Sequence, residues 1–301
     1  MAGESRLPDA ATVGGQAVLE GVMMRAGPFW AVAVRTPGGD VEVRRFGLPE
    51  RTPQRRLLRL PVIRGVAALV ESLRIGARAI AVSADWRLPE AERRGPSARA
   101  DATVLGISLA LGVALFLVAP AAVARLAGLG VPAEAVLRVA FLVGYLALLG
   151  RRGDMRRVLE YHGAEHKAVA CHEAGLPLTP AHADRCPRLH PRCGTSFLAL
   201  VMILAGALVA LLGEPGWPGL VASRILVVPL AAGVAFELIR WAVRARAQRL
   251  LAPLVALQRL TTREPDREQL AVALAALGAV LAAEAPARAS SGRVDLDFVP
   301  A

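Results

Sequence analysis

"TVLGISLALGVALFLVAPAAVA", residues 103–124, decides the fold class. It carries no charge, and as a helix rising 1.5 Å per residue it is long enough to cross a hydrocarbon core of about 30 Å. Three more apolar stretches follow, at 133–149, 197–212 and 219–239. The second and third stretches lie near the lower length limit of about 17 residues. Each pairs with a longer partner through a short, turn-rich connector: "RLAGLGVP" (125–132) and "GEPGWPG" (213–219). With 54% hydrophobic residues and a mean hydropathy of +0.45, the chain reads as a mainly α, polytopic helical membrane protein with about four spans.

Charge orients the spans. The net charge is +11. Sixteen arginines precede the first span, seven arginines and the sole lysine lie in 151–196, and nine arginines follow from Arg240 on. The connector 125–132 holds one basic residue and 213–218 holds none. Basic loops stay in the cytoplasm, so both termini and the 151–196 segment are expected on the cytoplasmic side. The lipid bilayer is the expected partner. Nucleic acid is not, because the basic residues follow the topology and only 4% of residues are aromatic. The opening residues "MAGESRLPDAATVGGQ" contain no apolar core of a cleavable signal peptide.

The layout predicted around the spans begins with a disordered 1–12. A cytoplasmic region, 13–100, contains a hairpin ("AVAVRT", "PGGD", "VEVRRF", residues 31–46) and an amphipathic helix over 61–82. On that helix Arg64, Glu71, Arg74 and Arg78 share one face, which suits a helix lying at the interface or packed on the spans. Transmembrane hairpins occupy 101–150 and 197–240, with a cytoplasmic motif loop at 151–196 between them. Basic amphipathic helices fill 241–285, including a capping box at Asp266/Gln269, and 286–301 is a disordered tail.

The motif loop gathers all five histidines and all three cysteines of the chain. An odd, small number of cysteines is no disulfide framework, and cytosolic conditions keep thiols reduced. Within "YHGAEHKAVACHEAG" (161–175), His162 and His166 stand one helical turn apart on one face, with Glu165 beside them. This H-x-x-E-H spelling is that of a ligand pair plus a water-activating carboxylate. Zinc needs three or four protein ligands, and "RLHPRCGTSF" (188–197) offers His190 and Cys193. Glu173 reaches the same ion only if the helix ends near it, which Gly175 permits. Glu237, at the inner end of the fourth span, is either a further ligand or the partner of an arginine. His182, Cys171 and Cys186 read as ordinary polar or small apolar positions.

Four segments in order, "VGGQAVLEGVMMR" (13–25), "YHGAEHKAVACHEAG", "RLHPRCGTSFL" and "QRLTTREPD" (258–266), resemble the bacterial DUF1385 membrane proteins, which are described as predicted metal-dependent enzymes. The resemblance implies a multi-spanning protein of the bacterial cytoplasmic membrane. It marks His162, Glu165, His166, His190 and Cys193 as motif positions, together with Gln16, Glu20 and Arg25 in possible supporting roles. It carries no established reaction.

The leading expectation is a metal-dependent, hydrolytic enzyme. His162 and His166 bind a divalent ion, with zinc expected. His190 is the third ligand, Cys193 the alternative, and Glu165 the general base. The competing readings are a non-enzymatic protein with a closed structural metal site, and a transporter or assembly factor. The last would need polar groups at the midplane or a homo-oligomer.

Overall fold

A computed structural model describes residues 13–48, 60–95, 97–212, 217–245 and 247–290. The expected disorder of 1–12 and of 291–301 lies outside the described residues.

Four antiparallel strands form a meander, β1 (Val13–Val18), β2 (Gly21–Ala26), β3 (Phe29–Arg35) and β4 (Val41–Gly47), in the order β1-β2-β3-β4. The expected hairpin is therefore only half of the sheet. The segment 13–25 adds two strands, which pair Val18 with Gly21 across the two-residue turn Leu19–Glu20. The extra strands escape a search for polar–apolar alternation because both sheet faces are covered. Val22, Met24, Ala31 and Ala33 face one core, and Met23, Trp30, Val32 and Val34 face another.

Helix α1 (Ile63–Trp86) covers the second face with Ile75, Ala79, Val82 and Trp86. Three of the four residues in its charged stripe are paired, Arg64 with Glu237 (2.6 Å), Glu71 with Arg25, and Arg78 with Asp101 (3.2 Å), while Arg74 is exposed. Helix α2 (Ala98–Val113) runs through a π-helical turn (Ala114–Val118) into α3 (Ala119–Leu126). Pro120 has no N–H and clashes with the carbonyl four residues back, and the wider π turn absorbs both defects. Then come α4 (Val131–Leu149), α5 (Gly153–Glu173), the short α6 (Pro180–Ala183), α7 (Gly194–Leu212) and α8 (Trp217–Arg244). Of the amphipathic helices expected over 241–285, those that follow α8 are short: a 3-10 turn (Gln248–Leu251), α9 (Ala252–Ala256) and α10 (Gln258–Thr261), with Pro253 in the first turn of α9. The last helix, α11 (Arg267–Ser290), begins at the expected capping box. The Gln269 N–H donates to Asp266 Oδ1 (2.7 Å) and the Asp266 N–H donates to Gln269 Oε1 (2.9 Å). It runs past residue 285, so 286–290 are helical rather than part of a tail.

Among the described residues, five helices are by length and composition apolar enough to cross a membrane: Ala98–Leu126, Pro132–Leu149, Gly194–Leu211, Leu226–Arg244 and Arg267–Ala285. The first four match the expected spans, and α7 and α8 pack together through Phe197, Val201, Ala205, Val227, Ala231 and Ala235. The fifth, α11, instead buries Leu270, Ala273, Leu277 and Val280 against the first sheet face and α5. Its apolarity is thus met by protein. The segment 151–196 is likewise no loop, since α5 is a central element of that core.

Glu20 locks this assembly. It sits at φ 51°, in the left-handed region, at the β1–β2 turn. Its carboxylate takes a bidentate pair of hydrogen bonds from Arg157 on α5 and lies 3.7 Å from Arg87 beyond α1. Burial pushes the Glu20 carboxyl up, but Arg157, Arg87 and Arg35 outweigh it and hold it below its ordinary value near 4.5. A depressed carboxylate contributes stability that is present above the unfolded value and lost as pH falls through the folded one. Glu20→Gln should therefore lose less thermal stability than wild type as the pH is lowered from about 5 to about 3, as read by melting in detergent. An equal loss in both would remove Glu20 from the acid response.

Candidate functional site

The site is built on α5. Its end is fixed by a Schellman turn: Gly175 at φ 66° donates to His172 O, and Leu176 donates to Cys171 O (3.1 Å). Two segments are clamped onto this helix. The buried Lys167 ammonium donates to Asp184 O (2.7 Å) and pairs with Glu264 (2.8 Å), while Arg188 pairs with Glu264 (3.2 Å) and donates to Thr262 O (2.7 Å). Residues 184–193 and 258–265 are thereby laid beside the histidine face.

That placement fixes both imidazoles. His162 Nδ1 lies 2.8 Å from Thr261 O, and His166 Nδ1 lies 2.6 Å from Arg188 O. A carbonyl only accepts, so each Nδ1 carries the proton and each Nε2 presents a lone pair. The rings are 4.5 Å apart. Cys193, just before α7, places Sγ 3.3 Å from His162 Nε2 and accepts from the Thr195 N–H (3.4 Å). His162, His166 and Cys193 thus offer three donor atoms all within 4.8 Å of one another. Burial lowers the basicity of His166, against the opposing pull of Cys193.

Glu165 lies beside them, 4% exposed, with Oε2 3.4 Å from His166 Nε2. Two acceptor atoms facing each other in a buried site repel, and a proton or a cation between them relieves that. Burial raises the Glu165 carboxyl, opposed by His162, His190, Arg192 and the Gly15 amide. A cavity of about 290 Å³ opens over these groups, lined on its far sides by residues 13–17 of β1 and by Arg192–Thr195.

The remaining expected residues fall elsewhere. His190 is near, its ring 6.0 Å from that of His166, but both nitrogens are engaged: Nδ1 accepts from the Arg192 N–H (3.3 Å), and Nε2 donates to Glu173 (3.1 Å). Glu173 is freed by the helix end, as anticipated, yet it serves His190 and Arg192 rather than the trio. Glu237 is the arginine partner, held by Arg64, and Arg25 holds Glu71. Gln16 lines the cavity and donates to Gly76 O (3.3 Å). Cys171 and Cys186 are buried neighbours in the sheet core, and burial beside Cys186 pushes the Cys171 thiol up to about 11. His182 accepts or donates only within its own turn, at Thr179 (2.7 Å).

The residues that orient the two imidazoles do not stand out in the sequence. Thr261 and Arg188 act through backbone carbonyls. Gln258, fully buried, accepts from the His190 N–H (2.9 Å) and donates to His190 O (2.7 Å) and Ser196 Oγ (2.8 Å). The available signal was the "QRLTTREPD" segment, a motif without histidine or cysteine whose backbone and amide groups do the positioning.

The family described as "Protein of unknown function (DUF1385)" matches residues 60–283. Among curated proteins, the chain is 31% identical over 299 residues to the "Uncharacterized protein YqhQ" of Bacillus subtilis (strain 168), covering 90% of this chain and 93% of the relative. No solved structure matches it.

Proposed function

The chain belongs to the DUF1385 family, and from that premise we propose that it is a metal-dependent hydrolytic enzyme of the bacterial cytoplasmic membrane, with its site at the inner face. One observation carries this reading: two backbone carbonyls fix the tautomers of His162 and His166 so that both Nε2 lone pairs turn towards Cys193 Sγ. Metal-binding histidines are commonly oriented by a hydrogen bond at the other nitrogen. Three protein ligands suit a catalytic zinc site, which keeps one position open. When bound there, the ion would supply an acidified water. Glu165 would take the proton of that water, and its close approach to His166 Nε2 is the juxtaposition a cation relieves. His190, turned to Glu173, braces the wall instead of serving as a ligand. The spans α2–α3, α4, α7 and α8 would anchor the site, with the basic segments inside and α11 in the cytosolic unit.

The test is the zinc content of the purified, detergent-solubilised protein. Near-stoichiometric zinc is expected in wild type and in Glu165→Gln. Zinc should fall at least ten-fold in His162→Ala, His166→Ala and Cys193→Ser. Wild type that stays free of zinc, iron and manganese after reconstitution would sink the reading. The 3.3 Å contact of Cys193 Sγ with His162 Nε2 favours one alternative, a metal-free thiol–imidazole pair. Alkylation of Cys193 by iodoacetamide that is lost in His162→Ala, in a protein without metal, would support it.

A further inference from the structure

Helix α1 divides its contacts between two layers. Its second half covers the sheet, and Gln16 donates to Gly76 O there. Its start leaves the sheet and lies on α8 instead. Val62 presses on Gly233, where a Cβ would lie 2.4 Å from Val62 Cγ1, and a Cβ on Gly65 would lie 2.9 Å from Phe236 Cβ. Ala68 joins the core shared by α7 and α8. These α8 residues fall inside the apolar window Leu226–Arg244. Pro229 stands about 12 Å along α8 from Glu237, on its outer side. At that level Val62, Ile63, Val66 and Ala67 form a crevice of about 330 Å³ with Pro229 and Leu230.

The helix start placed there is built for surroundings without water. Inside hydrocarbon the protein must satisfy its backbone polar groups itself, and the first N–H groups of a helix have no intrahelical partner. The Ile63 N–H donates to Pro61 O (2.8 Å), the Arg64 N–H to Leu60 O (3.0 Å), and the Val62 N–H to the Glu237 carboxylate. The same carboxylate accepts from Nε and Nη2 of Arg64, so the two charges near this end cancel. What the end shows outward is apolar: Leu60, Ile63 and Val70 are exposed, and the first exposed charge along α1 is Arg74. On α8 the exposed neighbours are Leu226 and Leu230, so the crevice continues the outward face of the span. We propose that α1 enters the inner leaflet of the membrane at its N-terminal end, and that the crevice between α1 and α8 holds a phospholipid acyl chain. The sheet and the candidate metal site are then moored at the surface by α1 as well as by the spans. This inference rests on the reading of α8 as a span.

The test uses the full chain reconstituted in phosphatidylcholine vesicles whose acyl chains are either plain or dibrominated, bromine being a contact quencher of fluorescence. Bimane is attached at Ile63→Cys. The three native thiols are buried, so the unsubstituted chain is the blank. Brominated chains should dim the Ile63→Cys label at least two-fold. They should leave a label at Ala84→Cys, exposed on the sheet-covering half of α1, unchanged. Leu60→Cys, ahead of the helix, repeats the measurement in case a label at Ile63 disturbs packing. A label at Leu226→Cys, 74% exposed on α8, reports on the span itself. Dimming at Leu226→Cys without dimming at Leu60→Cys and Ile63→Cys overturns the inference and leaves the span standing. No dimming at any of the three overturns the span and the inference with it. Equal dimming at Ala84→Cys would lay all of α1 against lipid and overturn entry at one end.

Discussion

Gly163→Ala should dismantle the site and destabilise the protein by about 3 kcal/mol or more, the upper range for overpacking a filled core. A Cβ at Gly163 would lie 2.0 Å from Arg263 O, a backbone atom that no rotamer change can move. The contact is close because the segment after α10 rests directly on α5, with the Arg263 N–H donating to Leu159 O (2.9 Å). Relief requires lifting residues 261–265, which also carries Thr261 O away from His162 Nδ1. Melting in detergent should fall by roughly 5–10 °C, and zinc content should fall with it. Gly153→Ala, in the first turn of the same helix where a Cβ meets nothing within 4 Å, should leave both unchanged. Equal behaviour of the two variants would show that the close approach is not needed.

Gln258→Leu is expected to cost about 3 kcal/mol, because each buried polar group left without its partner costs roughly 1–3 kcal/mol. Two partners are orphaned together, the His190 N–H and the Ser196 hydroxyl, and the His190 carbonyl keeps only the longer bond from the Cys193 N–H (3.3 Å). The side chain is fully buried, so leucine fills the volume without replacing the bonds. His190 begins the turn that delivers Cys193, and a loosened turn should lower zinc affinity at least ten-fold as well as the melting temperature. If stability falls but zinc affinity holds, Gln258 is a structural strut and the Cys193 turn is fixed from elsewhere.

What the sequence made legible differs by interaction range. The spans and the capping box of α11 are written locally, in apolar runs and in an Asp–Gln pair three residues apart. The His162/Glu165/His166 face follows from helical period alone. Which of His190 and Cys193 turns towards the His162/His166 pair does not, because it depends on which of them Glu173 engages across the fold. The first two strands were hidden for a related reason: a sheet covered on both faces has no polar stripe to announce its register. Nor is the apolarity of α11 readable as core or span from composition, since Leu270 and Leu277 would suit either, and only their packing against β2, β3 and α5 decides.

That packing also sets an order of events. The sheet comes from residues 13–48 and its cover, α11, from residues 267–290, so more than two hundred residues of synthesis separate them. During that interval the apolar sheet face with Val22, Met24, Ala31 and Ala33 has no lid. The floor of the pocket, α5, emerges midway and must also wait, because Thr261 and Arg263 are added just before α11. Assembly of the site is therefore a late event in the birth of the chain.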